Sequence, residues 1–456
     1  MRGILGFVVA ADRGADPQFT GWNSPILHTP DMFAFFQRRP ALGLLLSAWC
    51  LPILMVILSD PLLDRPVTLG TWILIGSCIG AASLGLLVGP TPLVKPSRMA
   101  SDRLVLGIAI FGGICGLIFW AMRGKSGTSM EETRLLVHGG NIGMGKEAYF
   151  FYFGGAASLM AIAAASEHRK PLHMMALTVL IGVTCWAGFM IHFAARIFAM
   201  LCIAIAICGA LTRFPKQIVS PRGIALGIAF IIPLFALNVM FAEKRMESKF
   251  ADPYFGEYVT SKAATLIRVQ DGGIRANSFV ISGAWLLLQF SSDPIYFLDF
   301  YRTLDVSHDY GLYQFSLISN RVPGYDWQDR RNELNEMYEP IGVTTNVWGS
   351  GIRDVAIDFG EVGAVIMFFI MGFATARMGA ARTIGGRSLG VFLMLWLLFS
   401  PFTTPITQRP YQMGLYLLVV WHFMELRHLR KAEGVRPMAR RSAIQEPRGS
   451  VEAAAS

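Results

Sequence analysis

A polytopic, all-α membrane protein is the fold class this sequence predicts, on three observations. The chain is 53% hydrophobic and only 16% charged, where soluble domains carry about 25% charged residues. Its mean hydropathy is +0.47, and the apolar residues come in blocks of about 16 to 23, long enough to cross roughly 30 Å of hydrocarbon as helices. Lys and Arg collect in alternate short loops, while Asp and Glu collect in one long one. That sorting is the charge asymmetry of a membrane topology.

Residues 1–40 read as a cytoplasmic N-terminal segment. Its apolar run, MRGILGFVVAADRG, is too short to span and no cleavage context follows, so no signal peptide is expected. Ten spans are placed at about 41–59, 67–89, 104–122, 147–166, 172–190, 197–212, 223–241, 361–377, 388–403 and 411–425. Seven therefore precede the long loop at 242–360, and three follow it. The basic loops hold Arg38 and Arg39; Lys95, Arg98 and Arg103; Arg169 and Lys170; Arg213, Lys216 and Arg222; and Arg377, Arg382 and Arg387. With the Arg-rich tail at 426–456 they define the cytoplasmic side, which puts both termini inside. The net charge of +9 is thereby a topology signal next to an anionic leaflet. The tail lacks the interleaved aromatic and basic residues of a nucleic-acid surface, so no nucleic-acid partner is expected. Its Pro, Arg and Ala content reads as disordered.

All six cysteines fall inside apolar blocks without paired spacing. They read as small hydrophobic residues, not as a disulfide framework or a thiolate metal site.

The 242–360 loop carries 11 Lys plus Arg against 16 Asp plus Glu. A loop of that length in a compact protein is usually functional. Within it, SFVISGAWLLLQF (278–290) is apolar but short, and counting it as a span would put the basic tail outside. It is read as an interfacial or re-entrant helix. The segments at 250–277, 291–315 and 319–340 mix Tyr, Phe, Trp, Asp, Asn and Arg. Ring faces stack on sugars and polar side chains bond hydroxyls, so the mixture suits a carbohydrate site. An interfacial aromatic belt has the same composition.

Arginine at membrane depth costs about 2.5–3.5 kcal/mol on insertion scales and usually faces a partner. Arg196 lies in IHFAARIF at a tight external turn, with His192 four residues earlier on the same helical face. A phosphate gripped by the planar guanidinium is one reading; snorkelling to the headgroups is the other. Arg275, Arg302, Arg321 and Arg353 are candidates to meet the same anion from the loop.

At the end of the loop, TTNVWGSGIRDVAIDFGEVG (344–363) places Arg353, Asp354, Asp358 and Glu361 just before an apolar run. Asp354 and Asp358 share a face if the helix has already begun. Acids in a first turn favour the helix dipole. An ion-paired cluster with a tuned general base is the alternative reading. The DFG at 358–360 has no HRD element or Gly-rich loop around it, so it is not a kinase motif. No HExxH, Walker loop, GxSxG or zinc spacing occurs in a suitable context.

The run TNVWGSGIRDVAIDFGEVGAVIMFFIMG (345–372) resembles the Wzy-type polymerases, the oligosaccharide-repeat-unit or O-antigen polymerases of bacterial surface polysaccharides. SSDPIYFLDFYRTL in the loop, the arginine at a tight external turn and the many-span layout extend the resemblance over most of the chain. It implies glycosyl transfer on the outer face of the bacterial inner membrane. A polyprenyl-pyrophosphate-linked oligosaccharide would give up its glycan to another lipid-linked repeat unit, with a chain-length regulator as a possible partner and no metal or other cofactor. Carried over, Arg196, Arg275, Arg302 and Arg353 hold pyrophosphate, and Asp354 or Asp358 is the base, with His192 in reserve. Tyr301, Tyr310, Asn346 and Trp348 contact sugar.

Three other classes compete. A lipid-linked glycan ligase shares the layout. A glycolipid flippase or transporter calls for charges deep in several spans, which are scarce here. A membrane acyltransferase calls for a paired catalytic His, and His138, His192 and His308 have no such spacing.

Overall fold

The computed structural model describes residues 29–59, 67–91, 99–123, 147–192, 197–218, 293–319, 321–337 and 350–434, plus isolated positions between 220 and 229. Among them the protein is all-helical, with no named strand. Before the long loop the described residues form α1 (Thr29–Arg38), α2 (Pro40–Ser59), α3 (Leu69–Val88), α4 (Asp102–Arg123), α5 (Ala148–Ala165), α6 (Pro171–His192), α7 (Ile197–Arg213) and the single turn α8 (Pro215–Ile218). The described part of the loop carries α9 (Asp293–Tyr301), α10 (Ser316–Ser319) and α11 (Trp327–Glu336). α12 (Gly351–Gly379), α13 (Ile384–Phe399) and α14 (Arg409–Gly434) complete the bundle.

Among the described residues six helices (α2, α3, α4, α5, α6 and α12) are long and apolar enough to cross a membrane, and α7 and α13 are apolar but shorter. The chain is a helical, multi-pass membrane protein. The span expected at 223–241 and the interfacial helix expected at 278–290 lie outside the described residues, and the one at 411–425 falls within α14.

The apolar blocks become helices because nothing inside them competes for the backbone and lipid offers no other hydrogen-bond partner. α5 is the central helix: 78% of its residues are buried, against 33–39% in the other five helices of spanning length. Its small residues let neighbours approach closely. The fully buried Trp186 of α6 packs there against Phe119, Phe151 and Phe198, with centroids 5.2–5.9 Å apart. α3 and α12 run side by side in the same direction, and a Cβ on Gly372 would stand 2.2 Å from the Ala82 carbonyl oxygen.

Three elements differ from the sequence expectation, and in the first α12 begins at Gly351, ten residues before the expected 361 and within the stretch read as external loop. The segment TPDMFAFFQR, placed in a polar N-terminal stretch, forms α1; its neighbour Arg39 donates to the carbonyls of Leu86 and Gly89 at 2.8 and 2.7 Å, serving the open end of α3. The span expected at 388–403 begins four residues earlier, where Thr383 accepts the Gly386 N–H as N-cap. Arg387, expected in a basic loop, is therefore inside the first turn of α13. It is 4% exposed and paired at 2.8 Å with the equally buried Glu167. A charge that reads locally as a topology determinant is here one half of an interior ion pair.

Candidate functional site

The first two turns of α12 are enclosed by protein. Ser350 caps α12 by accepting the Arg353 N–H at 3.2 Å, and the Gly351 N–H donates to Ser400 O at 2.7 Å. Residues Gly351 to Asp358 are buried in sequence, enclosed by the turn after α13 on one side and the 309–314 loop on the other. At Gly360 the backbone leaves the helix, with φ +71° and ψ 177°. That region of conformational space is essentially closed to any residue with a Cβ, and a Cβ there would also stand 3.1 Å from His308 Nε2. The break orphans the last carbonyls of the preceding turn, and the loop supplies donors: Asp309 N–H to Ile357 O at 3.1 Å and Tyr310 N–H to Asp358 O at 2.9 Å. Gly360→Ala is expected to cost about 1–3 kcal/mol, read as a lowered thermal midpoint of the purified protein; an unchanged midpoint would show that the break is not required.

Arg353 (5% exposed) donates from Nη2 to Asp354 Oδ1 at 2.8 Å. The other carboxylate oxygen, Oδ2, accepts from Thr404 N at 3.1 Å and Thr403 Oγ1 at 3.2 Å. One turn later the fully buried Asp358 accepts the N–H groups of Tyr313 and Gln314, each at 3.0 Å. The two carboxylates thus have different duties. Asp354 holds a guanidinium against the 403–404 turn, and Asp358 anchors the loop that caps its own helix.

Two further arginines lie over aromatic rings in this region. Arg331 of α11 lies over the Trp327 ring, 5.5 Å from its centroid, and Trp327 stacks on Tyr313 while donating from Nε1 to Tyr313 O at 2.7 Å. Burial disfavours the charge on Arg331, Arg353 and Arg409 add to that, and Tyr313 and Asp354 oppose it. Arg409, first residue of α14, lies over the Tyr152 ring at 5.4 Å and donates to the Tyr152 hydroxyl. Among the described residues, Arg331 is thus within electrostatic influence of Arg353, Asp354 and Arg409, and Arg331 and Arg409 each lie over an aromatic ring. An excess of cationic, forked donors in such a place is suited to a multiply charged phosphate ligand.

A second network holds α11 in position. Arg330 donates to Asp309 at 3.0 Å, to Glu333 at 2.7 Å and to Ser307 O at 2.7 Å, and the Tyr325 hydroxyl donates to Asp309 at 3.0 Å. Burial, and then the Asp309 carboxylate, push the Tyr325 phenol well above its ordinary range, so it stays a donor. Arg331, next in sequence, is carried on this fixed helix.

The remaining sequence candidates are scattered. Arg302 pairs with Glu361 at 2.5 Å and donates to Thr71 at 3.1 Å, while Asp299 accepts from Thr68 and Thr71 at 2.5 and 2.7 Å. These bonds tie α9 to α3 and α12, and Glu361 serves as the partner of Arg302. Tyr301 is buried. Tyr310 is 82% exposed and has φ +54°, a left-handed conformation unusual for a bulky residue. Arg321 lies exposed in the turn before α11. His192 ends α6, its side chain outside the description; Arg196, Arg275, Asn346 and Trp348 lie outside the described residues.

Sequence reasoning missed Arg331, Arg409 and Tyr152. Arg409 had a readable signal: a lone arginine between the last two apolar blocks, on the face that the charge rule leaves otherwise poor in basic residues. No family model, curated protein or solved structure matches the chain.

Proposed function

We propose that the protein is a glycosyltransferase that joins polyprenyl-pyrophosphate-linked oligosaccharide repeat units into a surface polysaccharide. In this reading about ten helices cross a bacterial inner membrane with both termini inside, and the long loop covers the outer face. The reading is supported by the buried Arg353–Asp354 pair at the start of α12, by Arg331 over the Trp327 ring and within electrostatic influence of Arg353, Asp354 and Arg409, and by Arg409 over the Tyr152 ring. The guanidiniums bind the diphosphate, and the rings offer faces for sugar.

In the transfer, an acceptor hydroxyl oxygen attacks the anomeric carbon of the donor glycan. The bond from that carbon to the pyrophosphate oxygen breaks, and the electron pair leaves on the phosphate. Charge developing there is spread over donors already in place, which avoids reorganisation at the moment of reaction. Asp354, the carboxylate among the arginines, is assigned the hydroxyl proton. Asp358 is assigned the anchoring of the 309–314 loop, which presents Tyr310.

Deleting the gene and resolving the surface glycan by electrophoresis tests the reading. Loss of a polymerase leaves single repeat units attached. A full ladder of chain lengths would refute the proposal; absence of any attached unit would point to a ligase, and stranding of the unit on the inner leaflet to a flippase.

A further inference from the structure

Residues 313 and 314 of the long loop bond through their main chain to three different helices. The N–H groups of Tyr313 and Gln314 both donate to Asp358 of α12 at 3.0 Å. The Tyr313 carbonyl accepts from Trp327 Nε1 of α11 at 2.7 Å. The Gln314 carbonyl accepts from Nε2 of Gln412, three residues beyond Arg409 on α14. Each of these helices carries one arginine of the candidate site: Arg353 on α12, Arg331 on α11 and Arg409 on α14. The two-residue segment is therefore a junction that ties the three arginine-bearing helices to one another.

Gln412 is the arm that reaches it from α14. The side chain is fully buried; its Nε2 also donates to Ile406 O at 2.9 Å, and its Oε1 accepts the Leu317 N–H at 3.0 Å. An amide offers two N–H donors and a carbonyl acceptor, and here both kinds of group are engaged with main chain. One side chain thus clasps the loop at 314 and 317 and the turn that leads into α14 at 406. Asp354 secures the same turn to α12 through Thr403 and Thr404; Gln412 secures it to the loop. Residues three apart on a helix are surface neighbours, so a displacement of Gln412 carries Arg409 with it.

We propose that Gln412 is a positioning residue for the diphosphate, holding Arg409 at the spacing from Arg331 and Arg353 at which the three guanidiniums serve one ligand. The inference rests on the glycosyl-transfer reading and adds to it a residue that touches no substrate.

The test is a double-mutant cycle on polymer formation by the full-length protein, in cells whose own gene is deleted, normalised to the amount of protein in the membrane. Gln412→Met keeps the length of the side chain and removes its three hydrogen bonds. Alone it is expected to lower polymer formation about 10–100-fold, the scale of displacing a binding group by about 1 Å. In the Arg409→Ala background the same change should cost less than about twofold, because the group it positions is gone. A residue that only stabilises the fold would give the same further loss in both backgrounds, and that result overturns the inference while leaving the reaction in place. Wild-type polymer from Gln412→Met overturns it too. Should Gln412→Met fail to accumulate, Gln412→Asn, which draws the amide back by one methylene, takes its place under the same criteria. Wild-type polymer from Arg409→Ala would overturn the inference together with the diphosphate role of that arginine. The deletion phenotype described above tests the glycosyl-transfer reading by itself.

Discussion

Arg409→Ala is expected to lower polymer formation about 10²–10³-fold, the loss that follows removal of one preorganised donor from a transition-state charge. The chain should still accumulate in the membrane, because Arg409 is only partly buried and its bonds are to Tyr152. Arg353→Ala should abolish polymer as well, but through two effects that can be separated. It removes a donor, and it leaves Asp354 buried without its counter-ion, a loss of about 3–5 kcal/mol in stability. Arg409→Lys is the discriminating variant: it keeps the charge and loses the planar fork. Glycan ladders and thermal midpoints measured on the same preparations read both quantities. Wild-type ladders from Arg409→Ala would remove this arginine from the mechanism.

Gly372→Val is expected to be the most damaging single change in the bundle. The added Cβ would meet the Ala82 carbonyl oxygen at 2.2 Å, and Gly85, on the facing helix, has Phe369 O at 2.3 Å from its own Cβ position. Both collisions are with main chain, so no side chain can rotate away. α3 and α12 would have to separate, forfeiting the packing that holds them together in lipid. The penalty should reach about 3 kcal/mol or more, enough to deplete the protein from the membrane fraction. Normal accumulation and an unshifted midpoint would show that the two helices are less tightly apposed.

Much of the bundle was legible in the sequence because apolar length is a local property. The helices at 40–59, 69–88, 102–123, 148–165, 171–192 and 197–213 lie within a few residues of their expected limits. Where the reading slipped, the deciding interaction was distant along the chain. Arg387 looks like a loop charge until Glu167 is brought beside it, and α13 then starts four residues early. At the candidate site the Arg353–Asp354 pairing was visible because the two are adjacent. The partners of Asp358 were not, since they are main-chain amides of Tyr313 and Gln314, and every residue has such an amide. The break at Gly360 was hidden inside a DFG string whose composition says nothing about a dihedral angle. Arg331 was passed over because it sits in a helix polar enough to read as solvated surface.

The Glu167–Arg387 pair carries a consequence for how the chain is put together. α13 has 16 residues, about 24 Å as a helix, short for the hydrocarbon core, and it bears a guanidinium whose uncompensated insertion is unfavourable. In the folded bundle that guanidinium is neutralised by Glu167, just beyond the end of α5. Synthesis from the N-terminus delivers the carboxylate first. The charge that α13 carries is thus matched by a carboxylate made 220 residues earlier, so the packing of the C-terminal helices is tied to a partner far away along the chain.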